Sequence, residues 1–203
     1  AIERPEKIGR YTIVKELGRG GQGAVYRAIH PNLPIELAIK ISVKPLDEEY
    51  QQALRDEAQI LCELEHPNIA RVRDLDFFDG RPFLVLDFIR GRSLKARILN
   101  SETATETAVD WLAKVARAID FAHRRGTVHL DLKPDNIVID EHNEPRVIDF
   151  GLARMRDAWN VAATEQDRVS GTLQYMSPEQ AEGKAKWIGA HSDVFALGAI
   201  LYH

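Results

Sequence analysis

Two short stretches of the chain hold the residue types that polar chemistry needs. Val128-His129-Leu130-Asp131-Leu132-Lys133-Pro134-Asp135-Asn136 leads into one apolar run, and Asp149-Phe150-Gly151 follows another. Ile137 to Ile139 and Arg146 to Ile148 read as the arms of a short hairpin. Pairing residue 137 with 148 and 139 with 146 sets Asn136 opposite Asp149, and opposed residues at a ladder end have Cβ atoms about 4.5–5.5 Å apart. Two oxygen ligands at that separation suit a hard cation, since Mg²⁺ is held by one or two such groups together with substrate phosphates. Asp131 precedes Asn136 in a loop that can reach the same point. The competing reading is a polar hairpin with polar flanks and no chemistry.

Two further features sit earlier in the chain. Lys40 stands in the otherwise apolar run Leu37-Ala38-Ile39-Lys40-Ile41, where a lone lysine snorkels to the surface unless it has a mate. Tyr50, Leu54, Glu57, Leu61 and Leu64 recur at helical spacing, so Glu57 is the carboxylate in an apolar stripe. A lysine and a glutamate each set among apolar neighbours are natural partners, because an unpaired buried charge is costly. Gly18-Arg19-Gly20-Gly21-Gln22-Gly23-Ala24-Val25 fits GxGxxGxV. Without Cβ atoms such a loop can bring backbone N–H groups against a phosphate. A flexible hairpin tip explains the same pattern. A dinucleotide fingerprint must lead from strand to helix, whereas this cluster joins two strands.

The elements that must position these residues follow from periodicity and punctuation. Strands are expected at Tyr11 to Leu17, Ala24 to Ile29, Ile35 to Ile41, Ile69 to Phe78 and Phe83 to Phe88, the last two joined by the turn Asp79-Gly80-Arg81-Pro82. A helix is expected from Asp47 to Glu65, stopped by His66-Pro67. Thr103 and Glu106 form a capping box for a second helix, with Ala108, Leu112, Val115, Ile119 and Ala122 on one face and a stop at Gly126. Arg90 to Ser93 reads as the hinge between a β-rich part and a helical part.

Composition excludes several classes. With 203 residues, 44% of them hydrophobic and 29% charged, the chain is neither disordered nor too small for a core. A net charge of −4 with both signs interspersed leaves no basic block for nucleic acid. Cys62 is the single cysteine, so an internal disulfide is excluded and a reducing compartment is expected. The late apolar run Val194 to Tyr202 is too short for a bilayer span. Ala1 is not an initiator methionine and the chain stops inside that run, so both ends read as cut.

Taken together these residues resemble the signature set of serine/threonine protein kinases, in the family's order from about Ile8 onward, with wording most like bacterial members. The resemblance implies an α+β, two-lobed fold: residues 1–90 as a β-rich ATP-binding lobe with one main helix, and 91–203 as a mostly helical catalytic and substrate lobe, truncated after a helix around 192–203. It implies ATP with Mg²⁺ or Mn²⁺. Asp131 is the catalytic aspartate with Lys133 beside it, and Asn136 and Asp149 are the metal ligands. ATP-binding roles fall on Gly18, Arg19, Gly20, Gly21, Gln22, Gly23, Val25, Ala38, Lys40, Glu57, Leu86, Asp87 and Ile89. Gly171 to Glu179 resembles the end of an activation segment, with Thr164, Ser170 and Thr172 in that segment. His191 to Gly198 resembles the buried helix that follows it. His129 is given a packing role. The implied partner is a protein with a serine or threonine acceptor, autophosphorylation included. Neither nucleic acid nor membrane contact by this segment is implied. The implied location is cytoplasmic, with tethering to the inner face of a membrane only through sequence outside this chain. Two departures stand out: Leu130 replaces the family's usual Arg, which can clamp a phosphate, and Ser177 replaces a more usual Ala. A pseudokinase and a small-molecule kinase are the competing readings.

Overall fold

The computed structural model describes residues 5–20, 23–42, 45–100, 103–150 and 173–202. They divide into two compact units, one of residues 5–64 and 71–88, the other of 65–70, 89–150 and 173–202. In the first, β1 (Lys7–Ile8), β2 (Tyr11–Gly20), β3 (Gly23–Ile29), β4 (Glu36–Ser42), β5 (Val72–Phe78) and β6 (Arg81–Asp87) form an antiparallel sheet in the order β1-β2-β3-β4-β6-β5. Alternation sorts its side chains. Ala24, Tyr26, Leu37, Ile39, Ile41, Phe83 and Val85 join Ile8, Tyr11 and Ile13 in one apolar cluster. The intervening positions Val25, Ala38, Lys40 and Leu86 fall on the opposite face, with Val25 paired to Lys40 and Ala38 to Leu86. Helix α1 (Glu48–Cys62) buries Leu54, Ala58 and Leu61 and packs against β5.

Several boundaries differ from the sequence reading for identifiable reasons. The β5–β6 turn is only Asp79 and Gly80, both at positive φ, as a two-residue primed turn requires. Arg81 and Pro82 therefore lie in β6. Pro82 is tolerated there because the β4 ladder ends at Phe83. Residues 68–70 are not part of β5. Val147 N–H donates to the Asn68 carbonyl and Ala70 N–H to the Val147 carbonyl, each at 2.8 Å, which assigns this stretch to the second unit.

In the second unit β7 (Gly91–Ser93), β8 (Ile137–Asp140) and β9 (Pro145–Val147) form an antiparallel sheet. The segment read as a hinge thus supplies a strand. The β8–β9 register also differs by one residue from the sequence reading: Ile137 pairs with Val147 and Ile139 with Pro145. The reason is burial, because only this register puts all four of those apolar residues on the covered face. Helices are α2 (Leu94–Leu99), α3 (Thr105–His123), α4 (Pro178–Ala181) and α5 (Ala190–Tyr202). Helix α3 starts from Ala104 without a side-chain cap, so the expected Thr103 capping box does not form. Its buried stripe is Trp111, Val115, Ala118, Ile119 and Ala122, rotated toward Trp111, whose indole N–H donates to the Asn143 carbonyl at 2.9 Å. It ends where Gly126 turns left-handed and Thr127 N–H reaches back to the Ala122 carbonyl. Helix α5 buries Ser192, Asp193, Ala196 and Ile200, while Val194, Phe195, Leu201 and Tyr202 are exposed. Among the described residues no helix is long and apolar enough to cross a membrane.

One glycine in this sheet is demanded by packing. A Cβ on Gly91 would run into the Ile139 carbonyl, a backbone obstacle that cannot rotate away, whereas one on Gly18 meets open space. Gly91→Ala is expected to cost about 1–3 kcal/mol, lowering Tm by roughly 2–12 °C in a chain of this size. Gly18→Ala should leave Tm within about 2 °C. Thermal unfolding of the two variants side by side checks the contrast.

Candidate functional site

The second unit gathers a polar cluster around Asp131. Its Oδ2 accepts from Lys133 Nζ at 2.9 Å and lies 3.3 Å from Asn136 Nδ2, which also donates to the Asp131 carbonyl at 2.8 Å. All three residues are partly or fully buried. Pro134–Asn136 form a single tight turn that swings Asn136 back toward Asp131. With its nitrogen turned to Asp131, the Asn136 amide presents its oxygen on the other side. Ile148 N–H donates to the Asn136 carbonyl at 2.9 Å, so Asp149 is the residue after Asn136's partner rather than directly opposite it. This corrects the expected pairing and follows from the one-residue register difference. Asp149 is half-buried at φ +61°, in the left-handed region. An amide oxygen and a carboxylate are the hard donors that Mg²⁺ takes, and two suffice where phosphates complete the shell. The pair therefore fits that ion chemically. Among the described residues no group of three His, Cys, Asp or Glu side chains is disposed to hold a metal alone.

The loop before this cluster is held from below by a buried carboxylate. Asp193, on α5 and 1% exposed, accepts from His129 N–H at 2.8 Å, from Leu130 N–H at 2.7 Å and from His123 Nε2 at 2.7 Å. His129, fully buried, donates from Nε2 to the Ile148 carbonyl at 3.1 Å and accepts at Nδ1 from Asp131 N–H at 3.2 Å. Its ring meets Phe150 edge-on at 5.0 Å. The packing role expected for His129 is thus what its surroundings provide. Leu130 is half-buried at φ +60°.

Of the positions expected to bind nucleotide, those described in the first unit lie on β2, β3, β4, α1 and β6, whereas Ile89 follows β6 and falls in the second unit. Arg19 turns back to Glu16 at 2.6 Å and to the Tyr26 hydroxyl at 2.8 Å. Gly23 has a packing reason to lack a Cβ, which would strike the Ile41 carbonyl across the β3–β4 pair. Gly18 and Gly20 have none, since a Cβ on either meets nothing within 4 Å. Lys40 on β4 and Glu57 on α1 are both half-buried. Asp87 donates its N–H to the Arg71 carbonyl at 3.0 Å and its carboxylate takes Arg73 at 2.7 Å. Gly21, Gln22, Thr164, Ser170 and Thr172 lie outside the described residues.

Asp193, His123 and Gln180 were not given roles from the sequence. An aspartate set directly before the apolar run Val194 to Tyr202 begins to flag Asp193. Ser177-Pro178-Glu179-Gln180 reads as a capping box, which flags Gln180 as a helix cap but not its bond to Leu130, 50 residues away, and nothing local flags His123, whose partner lies 70 residues away.

Three carboxylates in this unit are strongly held. Burial alone would raise Asp193, but the hydrogen bond from His123 and those from the loop amides outweigh it and its pKa is lowered. For Asp140, burial is likewise outweighed by the N–H groups of Glu144 and His142 and by Arg146, again a net lowering. Glu179, bonded by Ser192 Oγ at 2.6 Å, is lowered to about 2. Each native value lies below the unfolded one, so the stabilisation is complete above a pH of about 5 and is lost as pH falls through the native values. Thermal unfolding from pH 7 to pH 3 should show Tm falling below about pH 5. Asp193→Asn should lose about 2 kcal/mol at pH 7 and show a shallower acid limb.

Residues 11–203 match the family described as protein kinase domain. The chain is similar to the probable serine/threonine-protein kinase SCO3848 of Streptomyces coelicolor, at 34% identity over 99% of this chain and 31% of that protein. It is similar to serine/threonine-protein kinase Pkn1 of Myxococcus xanthus, at 36% over 97% of this chain and 29% of that protein. Serine/threonine-protein kinase PrkC of Bacillus subtilis gives 36% over 96% and 30%. The chain therefore spans under a third of the length of these curated relatives. Among solved structures, the kinase domain of Mycobacterium tuberculosis PknI superposes with a TM-score of 0.73 at 26% identity, covering 97% of this chain and 74% of that one.

Proposed function

Because the chain belongs to the protein kinase domain family, we propose that it transfers the γ-phosphoryl group of ATP to serine or threonine hydroxyls of proteins, itself included. ATP binding falls to residues 1–90 and catalysis to 91–203. The observation that carries this reading is the Asp131–Lys133–Asn136 cluster, with Lys133 Nζ 2.9 Å from the Asp131 carboxylate.

Asp131 orients the acceptor hydroxyl and takes its proton as the new P–O bond forms and the bond from the γ-phosphorus to the departing ADP breaks. Lys133, already beside that carboxylate, offsets the negative charge on the moving phosphoryl group. Asn136 and Asp149 hold Mg²⁺ or Mn²⁺, which when bound neutralises phosphate charge. Lys40, fixed by Glu57, steadies the α and β phosphates. Gly18 and Gly20, open above their Cα atoms, let the backbone of the 18–23 loop, including Arg19, Gly21 and Gln22, approach the phosphates. Val25 and Ala38 sandwich the adenine, and Leu86 guards the deeper pocket. The Asp87 N–H is engaged with Arg71, so Asp87 contributes its carbonyl, and Ile89 contributes a backbone group. Most of the rate enhancement is positioning and electrostatics. ATP dependence implies a cytoplasmic location for these residues.

Two measurements on the full-length protein test this. Asp131→Asn should lower kcat for phosphate transfer to protein serine or threonine by about 1,000-fold or more while nucleotide binding is retained. Equal activity in the variant, or phosphate appearing on a small metabolite and on no protein, overturns the reading. Leu130 offers no cation to a phosphate on residues 164–172. Thr164→Ala and Ser170→Ala should accordingly each lose less than about 100-fold in kcat.

A further inference from the structure

Gln180 on α4 joins two segments that are remote in sequence. Its amide oxygen accepts from Ser177 N–H at 3.2 Å and from Ser177 Oγ–H at 3.0 Å. Its amide nitrogen donates to the Leu130 carbonyl at 2.9 Å. These partners admit one amide orientation, because a backbone N–H requires an acceptor and a carbonyl a donor.

The peptide linking Leu130 to Asp131 is thereby held at both polar ends. Its carbonyl takes Gln180 and its N–H takes His129 Nδ1 at 3.2 Å. Holding is needed, since a leucine at φ +60° is strained by about 1–3 kcal/mol. Rotation of this peptide would re-aim the Cα–Cβ bond of Asp131. Gln180 also closes a ring whose other links both begin on α5. Asp193 binds Leu130 N–H at 2.7 Å, and Ser192 Oγ binds Glu179, the neighbour of Gln180, at 2.6 Å.

We propose that Gln180 is a positioning residue for Asp131, joining the 129–136 loop to the Ser177–Gln180 segment through a neutral amide where Leu130 supplies no cation for a phosphate clamp. It rests on the reading of Asp131 as the proton acceptor. The link works through geometry: when residues 177–180 are in place, the Leu130 carbonyl is held and Asp131 is aimed.

The test uses the full-length protein with Gln180→Glu, which keeps the acceptor for Ser177 but sets an oxygen against the Leu130 carbonyl, and Gln180→Met, which keeps the length without polar atoms. Both should lower kcat by roughly 10- to 100-fold with KM for ATP within about 2-fold, since small misplacements of a reacting group cost that much. Hydrogen–deuterium exchange of the peptide covering residues 129–132 should rise at least about 10-fold in both, while exchange in β8 and β9 is unchanged. This second readout does not depend on phosphate transfer. Unchanged exchange at 129–132 in both variants, or kcat within about 3-fold of wild type in both, overturns the proposal. Loss of kcat with uniformly raised exchange and a collapsed Tm overturns it too, as that marks general destabilisation. If Asp131→Asn retains full activity, the reading of Asp131 fails and the assignment of Gln180 falls with it; an inactive Asp131→Asn beside fully active Gln180 variants removes only the latter.

Discussion

A carboxylate taken almost wholly out of water must find donors for its oxygens or give up its charge. Asp193 finds three, and two of them are the backbone N–H groups of His129 and Leu130. Helix α5 is apolar from Val194 onward, and Asp193 at the head of that stretch converts a packed helix into an anchor for the 129–136 loop. The consequence propagates along the chain. With its backbone pinned, His129 turns its ring to the Ile148 carbonyl and to Asp131 N–H. That ring spans from the loop before β8 to the residue before Asp149. The polar cluster around Asp131 and the chain leaving β9 are thus indexed to one buried charge.

The sheet of the first unit solves a different problem with the same economy of parts. Period-two alternation commits every second residue of β3 and β4 to the apolar cluster, leaving Val25, Ala38 and Lys40 on the other face. No separate signal is needed to bring these three together, because strand pairing does it. The glycines divide by cause. Gly23 is required by the approach of the Ile41 carbonyl, which is a demand of the sheet. Gly18 and Gly20 answer no such demand, and the property they confer is an unobstructed backbone.

What the sequence made legible is local chemistry and periodicity. The strand carrying Lys40 and the helix carrying Glu57 follow from residue type and short spacing, and the protein kinase fold was legible through the resemblance that these residues, with Asp131, Asn136 and Asp149, bear to that family's signature set. The β8–β9 register was missed because alternation is compatible with either neighbouring register until burial of Pro145 chooses one. The Thr103 capping box is expected from the sequence but does not form, because helix α3 starts one residue later, from Ala104. The bonds from Asp193 and Gln180 to Leu130 were invisible for a plainer reason: they reach it from 63 and 50 residues away, and no local pattern encodes a partner at that distance.

Leu130 shows how these long-range bonds divide the work. The peptide before it is held through its N–H by a charged acceptor, a kind of bond worth about 1.5–3 kcal/mol. That is enough by itself to offset the strain of about 1–3 kcal/mol of a left-handed leucine. The peptide after it is held by a side-chain amide and an imidazole nitrogen, neutral groups worth about 1 kcal/mol each. Removing one of these leaves its partner unsatisfied at a cost of about 1–3 kcal/mol, and so shifts the ratio of aimed to misaimed loop by roughly 5- to 150-fold rather than unfolding it. The backbone on the α5 side of Leu130 is therefore fixed by the fold, while the backbone on the Asp131 side is balanced finely enough for the 177–180 segment to decide it. An arginine at position 130 would let phosphate bring a charge-assisted bond to that decision. With leucine there, the balance is left to neutral hydrogen bonds.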